Sequence, residues 1–277
     1  MDTRFWGPSG WRLLHLLSFH PNIPTEKAYK FFKDLPYVLP CKFCRASLSD
    51  YYVDDPIPKN KDDLPQWLYR IHNRVNDKLR DQKLLDTPNP EWKTIEQNYT
   101  SWLGASCSEQ KMIGWDFLFS IAFTTPCKAV ETSPMPDAPP IETLTTPELR
   151  NRWSVMSNSE RIPYIQEWWS LLPHVLPYKK WTEAWLKVVP TTPSLQKGRR
   201  AVTSWLYRAE KAMCQRLEAE VPHNSFEGLC SELHTFASGC GRAQTKAKKT
   251  CRSLKSSAKH TLKKRRSTKY FATGGYL

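Results

Sequence analysis

The sequence predicts an all-α protein built from two related helical bundles followed by a basic tail. Two observations carry this reading. Apolar residues recur every three or four positions through most of the chain, and a pattern in the first half returns, in order, in the second. No convincing alternation of apolar and polar residues marks a strand.

The elements follow in order. Trp11, Leu14, His15, Ser18 and Phe19 fall on one face of a first helix. Thr25 to Asp34 reads as a second, with Thr25 as N-cap and Ala28, Phe31 and Phe32 turned inward. Pro40 interrupts the chain, and a third helix runs from Cys41 to about Tyr52. A longer helix spans about Asp62 to Arg80, where Leu64, Trp67, Leu68, Ile71, Val75 and Leu79 are spaced three or four apart. A short helical turn near Trp92 closes the first bundle.

The second half repeats this text. Leu35-Pro36-Tyr37-Val38-Leu39-Pro40-Cys41-Lys42-Phe43-Cys44 aligns with Leu172-Pro173-His174-Val175-Leu176-Pro177-Tyr178-Lys179-Lys180-Trp181. Trp67-Leu68-Tyr69-Arg70 returns as Trp205-Leu206-Tyr207-Arg208, and Trp11 to Pro21 is echoed by Trp115 to Pro126. A longer connection, holding the Pro- and Thr-rich run from Thr124 to Pro147, reads as a surface loop. The copy keeps the apolar framework and loses the chemistry. His15 becomes Phe119, Cys41 and Cys44 become Tyr178 and Trp181, and His72, Asn73 and Asn76 become Glu210, Lys211 and Cys214. The expected domains are 1–104, a cofactor-binding catalytic bundle; 105–225, a degenerate bundle without a cofactor site; and 226–277, a basic, disordered tail.

Composition sets the outer limits. A chain of 277 residues is long enough for two domains, and its 12 Trp supply large packing units. No stretch approaches the ~18 consecutive apolar residues of a membrane span, and the N-terminus lacks the basic-then-apolar pattern of a secretory signal. Of the net charge of +14, all but +2 lies after Gly241, where 12 Lys and Arg meet no Asp or Glu. Such a segment buries too little apolar surface to offset its ordering entropy. Contact with nucleic acid is expected only through this tail, and aromatic residues for base stacking are sparse there.

Of the 8 Cys, only Cys41 and Cys44 have a recognisable motif spacing. Two cysteines on one helical turn can close a small disulfide ring and reopen it by exchange. Backbone N–H groups at a helix start favour the thiolate, and Lys42 and Arg45 add positive charge beside it. Three other readings compete. Half a zinc site needs further ligands, and no second CxxC or HxxxH supplies them, so no metal is expected. A thioredoxin-type motif needs a βαβ context. Two incidental core cysteines are the third.

Trp11 and His15 lie one helical turn apart, as do His72 and Asn76, with Asn73 beside them. Alone, each histidine is more often a satisfied structural residue. Together they offer a flat aromatic wall and a few orienting polar groups near Cys44, which suits a planar heterocyclic cofactor. Lys78 and Arg80 follow as candidates to neutralise a pyrophosphate.

The WxxxH helix, the CxxC and the HNxVN-like run His72-Asn73-Arg74-Val75-Asn76 together resemble the Erv/ALR family of FAD-dependent sulfhydryl oxidases, over roughly residues 5 to 82. The resemblance implies a four-helix bundle with a short fifth helix, and electron flow from protein dithiols through Cys41 and Cys44 to FAD and then O2, giving hydrogen peroxide. It implies that Cys44 is the flavin-proximal cysteine and Cys41 the exchanging one. Gly7, Trp11, His15, Cys44, His72, Asn73, Asn76 and Lys78 would hold FAD. It also implies a homodimer through the first two helices, thiol-containing protein substrates, and no membrane association. Phe19 stands where relatives often carry Tyr. The cysteine pair that staples the fifth helix is missing after Leu85, Cys107 and Cys127 being the nearest candidates. Cys230 and Cys240 are candidates for a shuttle, a structural disulfide or free thiols.

An oxidase without a secretory signal, fused to a degenerate copy, resembles versions encoded by large cytoplasmic DNA viruses, which implies the host cytoplasm or the virion. The alternative reading is a non-enzymatic helical adaptor with a vestigial CxxC.

Overall fold

A computed structural model describes residues 1–126, 158–189 and 191–237; all regular structure among them is helical. The first bundle comprises α1 (Thr3–Ser18), α2 (Thr25–Val38), α3 (Lys42–Asp54), α4 (Leu64–Asp81) and α5 (Trp92–Gly104). The second comprises α6 (Trp115–Thr124), α7 (Asn158–Val175), α8 (Lys179–Val188) and α9 (Arg199–Leu217), and α10 (Phe226–Phe236) closes the described chain. The Cys127–Pro147 part of the predicted surface loop and the basic tail lie outside the described residues.

Several boundaries differ from the sequence reading, each for a local reason. Asp2 caps α1, its carboxylate accepting from the Arg4 amide at 3.0 Å. Pro24, not Thr25, is the N-cap of α2, and that helix continues past Asp34 to Val38 through Pro36. Pro36 has no N–H for the Phe32 carbonyl one turn back. The Tyr52 hydroxyl of α3 donates to that carbonyl at 2.9 Å and takes the missing place. Cys41 is the N-cap of α3 rather than its first helical residue. The turn expected near Trp92 is the full helix α5, held by buried Ile95 and Tyr99 against α1 and α4.

Within each bundle the counterparts pack alike, α4 on α1 and α9 on α6. Between bundles, α1 packs on its own counterpart α6, and α2 on its counterpart α7. A copy facing its own copy is the geometry of an isologous two-fold interface, here closed inside one chain. Phe31 stacks on Trp168 at 4.7 Å, and Phe117 of α6 approaches Gly10 so closely that an added Cβ would lie 3.0 Å from its ring. The buried side chains of both bundles form one continuous core, so the expected boundary at 104 separates two repeats and not two separate cores. Trp168, Trp169, Trp181 and Trp185 are all buried in it.

Residues 226–236 of the expected tail form the helix α10. Leu229 and Leu233 of α10 are buried, the Phe236 ring stacks on Phe5 at 4.7 Å, and the Asp2 amide donates to the Phe236 carbonyl at 2.8 Å. Composition marks the basic segment beyond Gly241 well but overlooks this short amphipathic strap upstream of it.

Two outcomes are expected. Gly114 has φ +93°, and a Cβ there would sit 2.6 Å from the Leu13 side chain across the interface. Gly114→Ala should therefore lower stability by about 1–3 kcal/mol, read as a fall in thermal midpoint. The α1 and α2 faces through which the resemblance implied a homodimer pack against α6 and α7 within this chain, which favours a single chain in solution. Sedimentation should return the mass of one chain across a wide concentration range.

Candidate active site

Three helices bring the motif residues to one place. Helix α1 supplies Gly7 and Trp11, the start of α3 supplies Cys41 and Cys44, and the C-terminal half of α4 supplies Asn76 and Lys78. All six line a cavity of about 290 Å³. Its walls are mostly apolar: Trp6, Leu14, Leu35, Leu39, Tyr51 and Ile71 lie among the residues around it. Ser47 and Gln82 add polar groups, and Lys78 and Arg4 add positive charge.

Both sulfurs are partly accessible. The hydrogen bond from Cys44 is the largest influence on Cys41, and with the backbone amides of Cys44 and Phe43 it brings the Cys41 thiol down to about 6, against the opposing effect of burial. The place of Cys41 at the start of α3 sets its sulfur near those backbone N–H groups, which add to the larger effect of Cys44.

His15 and His72 stand one layer behind the cavity and not on its wall. Both are fully buried, and His15 Nε2 meets His72 Nδ1 at 3.0 Å. Trp11 lies flat on His72, ring centroids 3.8 Å apart and planes within 9°. Behind them Tyr99 stacks on His15 at 5.2 Å. Burial holds the His15 pKa down at about 3, so the ring is neutral at physiological pH. This pair fixes the plane of Trp11, the face the cavity sees. Asn73 is half-buried and outside the cavity wall.

Asn76 donates to Asn89 at 3.1 Å, and the Lys78 ammonium reaches across to the Ser47 hydroxyl at 2.6 Å. Arg80 turns away, donating to the Thr87 carbonyl and to Asn89, each at 3.1 Å. Tyr99, Leu35, Leu39 and Tyr52 went unassigned to the site in the sequence reading. The signal for Leu35 was available, since the repeated LPxVLP text pointed at the approach to Cys41.

The residues present fit the flavin that the resemblance implies. Gly7 is buried beside the cavity, yet a Cβ placed on it would meet nothing within 4 Å. The space next to it is open, in a helix where any larger residue would fill it. Flat apolar walls, a few amides and hydroxyls, and one ammonium are the donor set that an aromatic ring system bearing phosphates calls for.

At the matching places of the second bundle, buried side chains fill the space. Trp181, counterpart of Cys44, is fully buried and its indole donates to the Glu109 carbonyl at 2.8 Å. Glu210, counterpart of His72, is fully buried and bonds His223 at 2.8 Å. Among the described residues, no group of His, Cys, Asp or Glu is arranged to hold a metal ion. Cys107 is exposed, and Cys127 lies outside the described residues.

The two kinds of cysteine should separate by reactivity. With reduced protein, alkylation of Cys41 should rise with pH through a midpoint near 6, since only the thiolate attacks. Cys214, pushed up to about 11 chiefly by burial and then by Glu210, should stay unmodified through neutral pH. Peptide-resolved mass spectrometry across pH 4 to 9 reads both.

The Erv1 / Alr family model matches residues 8–99, the stretch holding α1 to α4 and most of α5. A probable FAD-linked sulfhydryl oxidase of Acanthamoeba polyphaga mimivirus is 35% identical over 85 residues, 27% of this chain and 59% of the relative. The mitochondrial FAD-linked sulfhydryl oxidase of Saccharomyces cerevisiae is 30% identical over 88 residues, 30% of this chain and 47% of the relative. The chain thus spans only about half the length of these two. A putative FAD-linked sulfhydryl oxidase of Invertebrate iridescent virus 6 is 33% identical over 92 residues, 28% of this chain but 83% of the relative. No solved structure matches. With the motif residues gathered on one cavity and a viral relative matched over most of its length, the chain belongs to the Erv1/Alr family.

Proposed function

We propose that this chain is an FAD-linked sulfhydryl oxidase that forms disulfides in protein substrates. The observation that carries the reading is the cavity shared by Cys41, Cys44, Trp11, Asn76 and Lys78, with open space beside Gly7. The names of the relatives supply the cofactor and the reaction class.

The chemistry at the sulfurs runs as follows. A substrate thiolate attacks the Cys41–Cys44 disulfide at Cys41, forming a substrate–Cys41 mixed disulfide and releasing Cys44 as thiolate. The substrate's second thiol, losing its proton, then attacks its own sulfur in that mixed disulfide and expels Cys41. The substrate leaves oxidised by two electrons, and Cys41 and Cys44 are left reduced. A thiol lowered to about 6 is a good leaving group in that second displacement. When bound, FAD supplies the two-electron acceptor that restores the disulfide, and O2 takes the electrons on to hydrogen peroxide. The protein's own part is to hold Trp11 flat through His72 and His15, place Lys78 beside Ser47, and keep both sulfurs on the cavity wall.

Two of the relatives are viral, and no helix among the described residues is long and apolar enough to cross a membrane. We place the enzyme's work in the cytoplasm of an infected cell, on thiol proteins of the virion, with one flavin per chain.

Oxygen uptake with a dithiol substrate, alongside a flavin spectrum, tests the reading. The wild type should be yellow and consume oxygen. Cys44→Ser should keep its flavin and lose turnover, whereas Gly7→Leu should stay folded and lose flavin, because the new side chain occupies the open space. A colourless wild type with no oxygen uptake would overturn the oxidase reading and favour the adaptor.

A further inference from the structure

The last turn of α2 leads straight into the redox pair, and its end is gripped from the second bundle. A helix C-terminus leaves carbonyls without intrahelical donors, and cations there are favoured. At this end the Tyr37 carbonyl accepts from Arg161 Nε at 2.9 Å. Two residues on, the Leu39 carbonyl accepts from Arg45 Nη1 at 2.8 Å. Pro40 and Cys41 follow directly.

Arg161 belongs to α7, in the second bundle, and is only 5% exposed. One turn along the same helix, Tyr164 lies face to face with the Tyr37 ring at 3.7 Å and 7°. Tyr37 is thus held by ring and by carbonyl from one face of α7. Its neighbours Leu35 and Leu39 are on the cavity wall with Cys41. Docking two bundles does not by itself require a buried guanidinium. Burial, and then the nearby Arg45 charge, push its pKa down to about 9, so holding this cation inside is costly. A planar group with a directed N–H does what an apolar residue cannot: it fixes one carbonyl in place.

We propose that Arg161 is a positioning residue for the redox pair, through which the second bundle sets where Cys41 stands relative to Cys44 and the cavity. The proposal rests on the oxidase reading for its meaning, but it is tested on the thiols themselves.

Reduced full-length protein is alkylated with iodoacetamide across pH 4 to 9, and kcat is measured by oxygen uptake on the flavin-loaded enzyme. In Arg161→Met the Tyr37–Cys41 segment loses its anchor, so the hydrogen bond from Cys44 weakens. The alkylation midpoint of Cys41 should move upward, and kcat should fall about 10-fold with flavin content unchanged. Arg161→Lys, which keeps charge but not the Nε direction, should fall between. Glu167→Gln removes the 3.0 Å ion pair with Lys30 at the same α2–α7 interface and should alter neither quantity. An unshifted midpoint in Arg161→Met overturns the proposal, as does an equal shift in Glu167→Gln, which would make the effect one of general docking. Should Arg161→Met not fold, the midpoint in Arg161→Lys decides alone. A wild type without oxygen uptake defeats the oxidase reading, while the alkylation midpoints still decide on Arg161.

Discussion

The structure turns on how α2 ends. Pro36 leaves the Phe32 carbonyl without its helical donor, and the turn after Val38 leaves further carbonyls open. Each donor comes from elsewhere: Tyr52 and Arg45 from α3, Arg161 from α7. Unpaired carbonyls in this buried region would each cost about 1–3 kcal/mol, so the three bonds are close to obligatory. Once they form, the direction of α3 is set, and with it the position of Cys41 and Cys44 against α1 and α4. Cys41 and Cys44 are therefore held in place by the helix before them as much as by their own.

The second bundle keeps the apolar pattern of the first and replaces the polar side chains at the matching positions. Counterpart helices retain their apolar faces because those faces form the shared core. At the polar positions the solutions are new. Glu210 and His223 pair inside the bundle, with burial pushing the imidazole pKa down but the carboxylate bond and charge raising it overall. Tyr178 reaches back to the carbonyl of Trp102 in α5, and Trp181 to that of Glu109 in the segment joining the repeats. Side chains there do the filling and pairing that a ligand would do in the first bundle.

Much of this was legible in the sequence, and the remainder was hidden for definite reasons. Helix faces and the repeat follow from local spacing, and the clustering of Trp11, Cys44 and Asn76 from the family resemblance. The burial of His15 and His72 behind Trp11 does not, because one helical face holds both wall and backing, and only the neighbouring Tyr99 decides which is which. Helix α5 looked short because its hold comes from α1 and α4 rather than from its own pattern. Arg161 gave no signal at all, since its partner is a carbonyl 124 positions away. Helix α10 was concealed by the basic composition that follows it.

The pairing of each repeat with its own copy has a consequence for dilution. Two separate subunits joined through α1 and α2 faces would part as concentration fell, since their association is a matter of mass action. Here the linker makes that association intramolecular, at an effective concentration of the order of mM whatever the amount of protein present. The interface between the two repeats is thus as complete in the first molecule synthesised as in the last. What the arrangement gives up is the second centre: a symmetric pair would carry two CxxC sites, and this one has a single site with a neighbour whose matching place holds Tyr178 and Trp181.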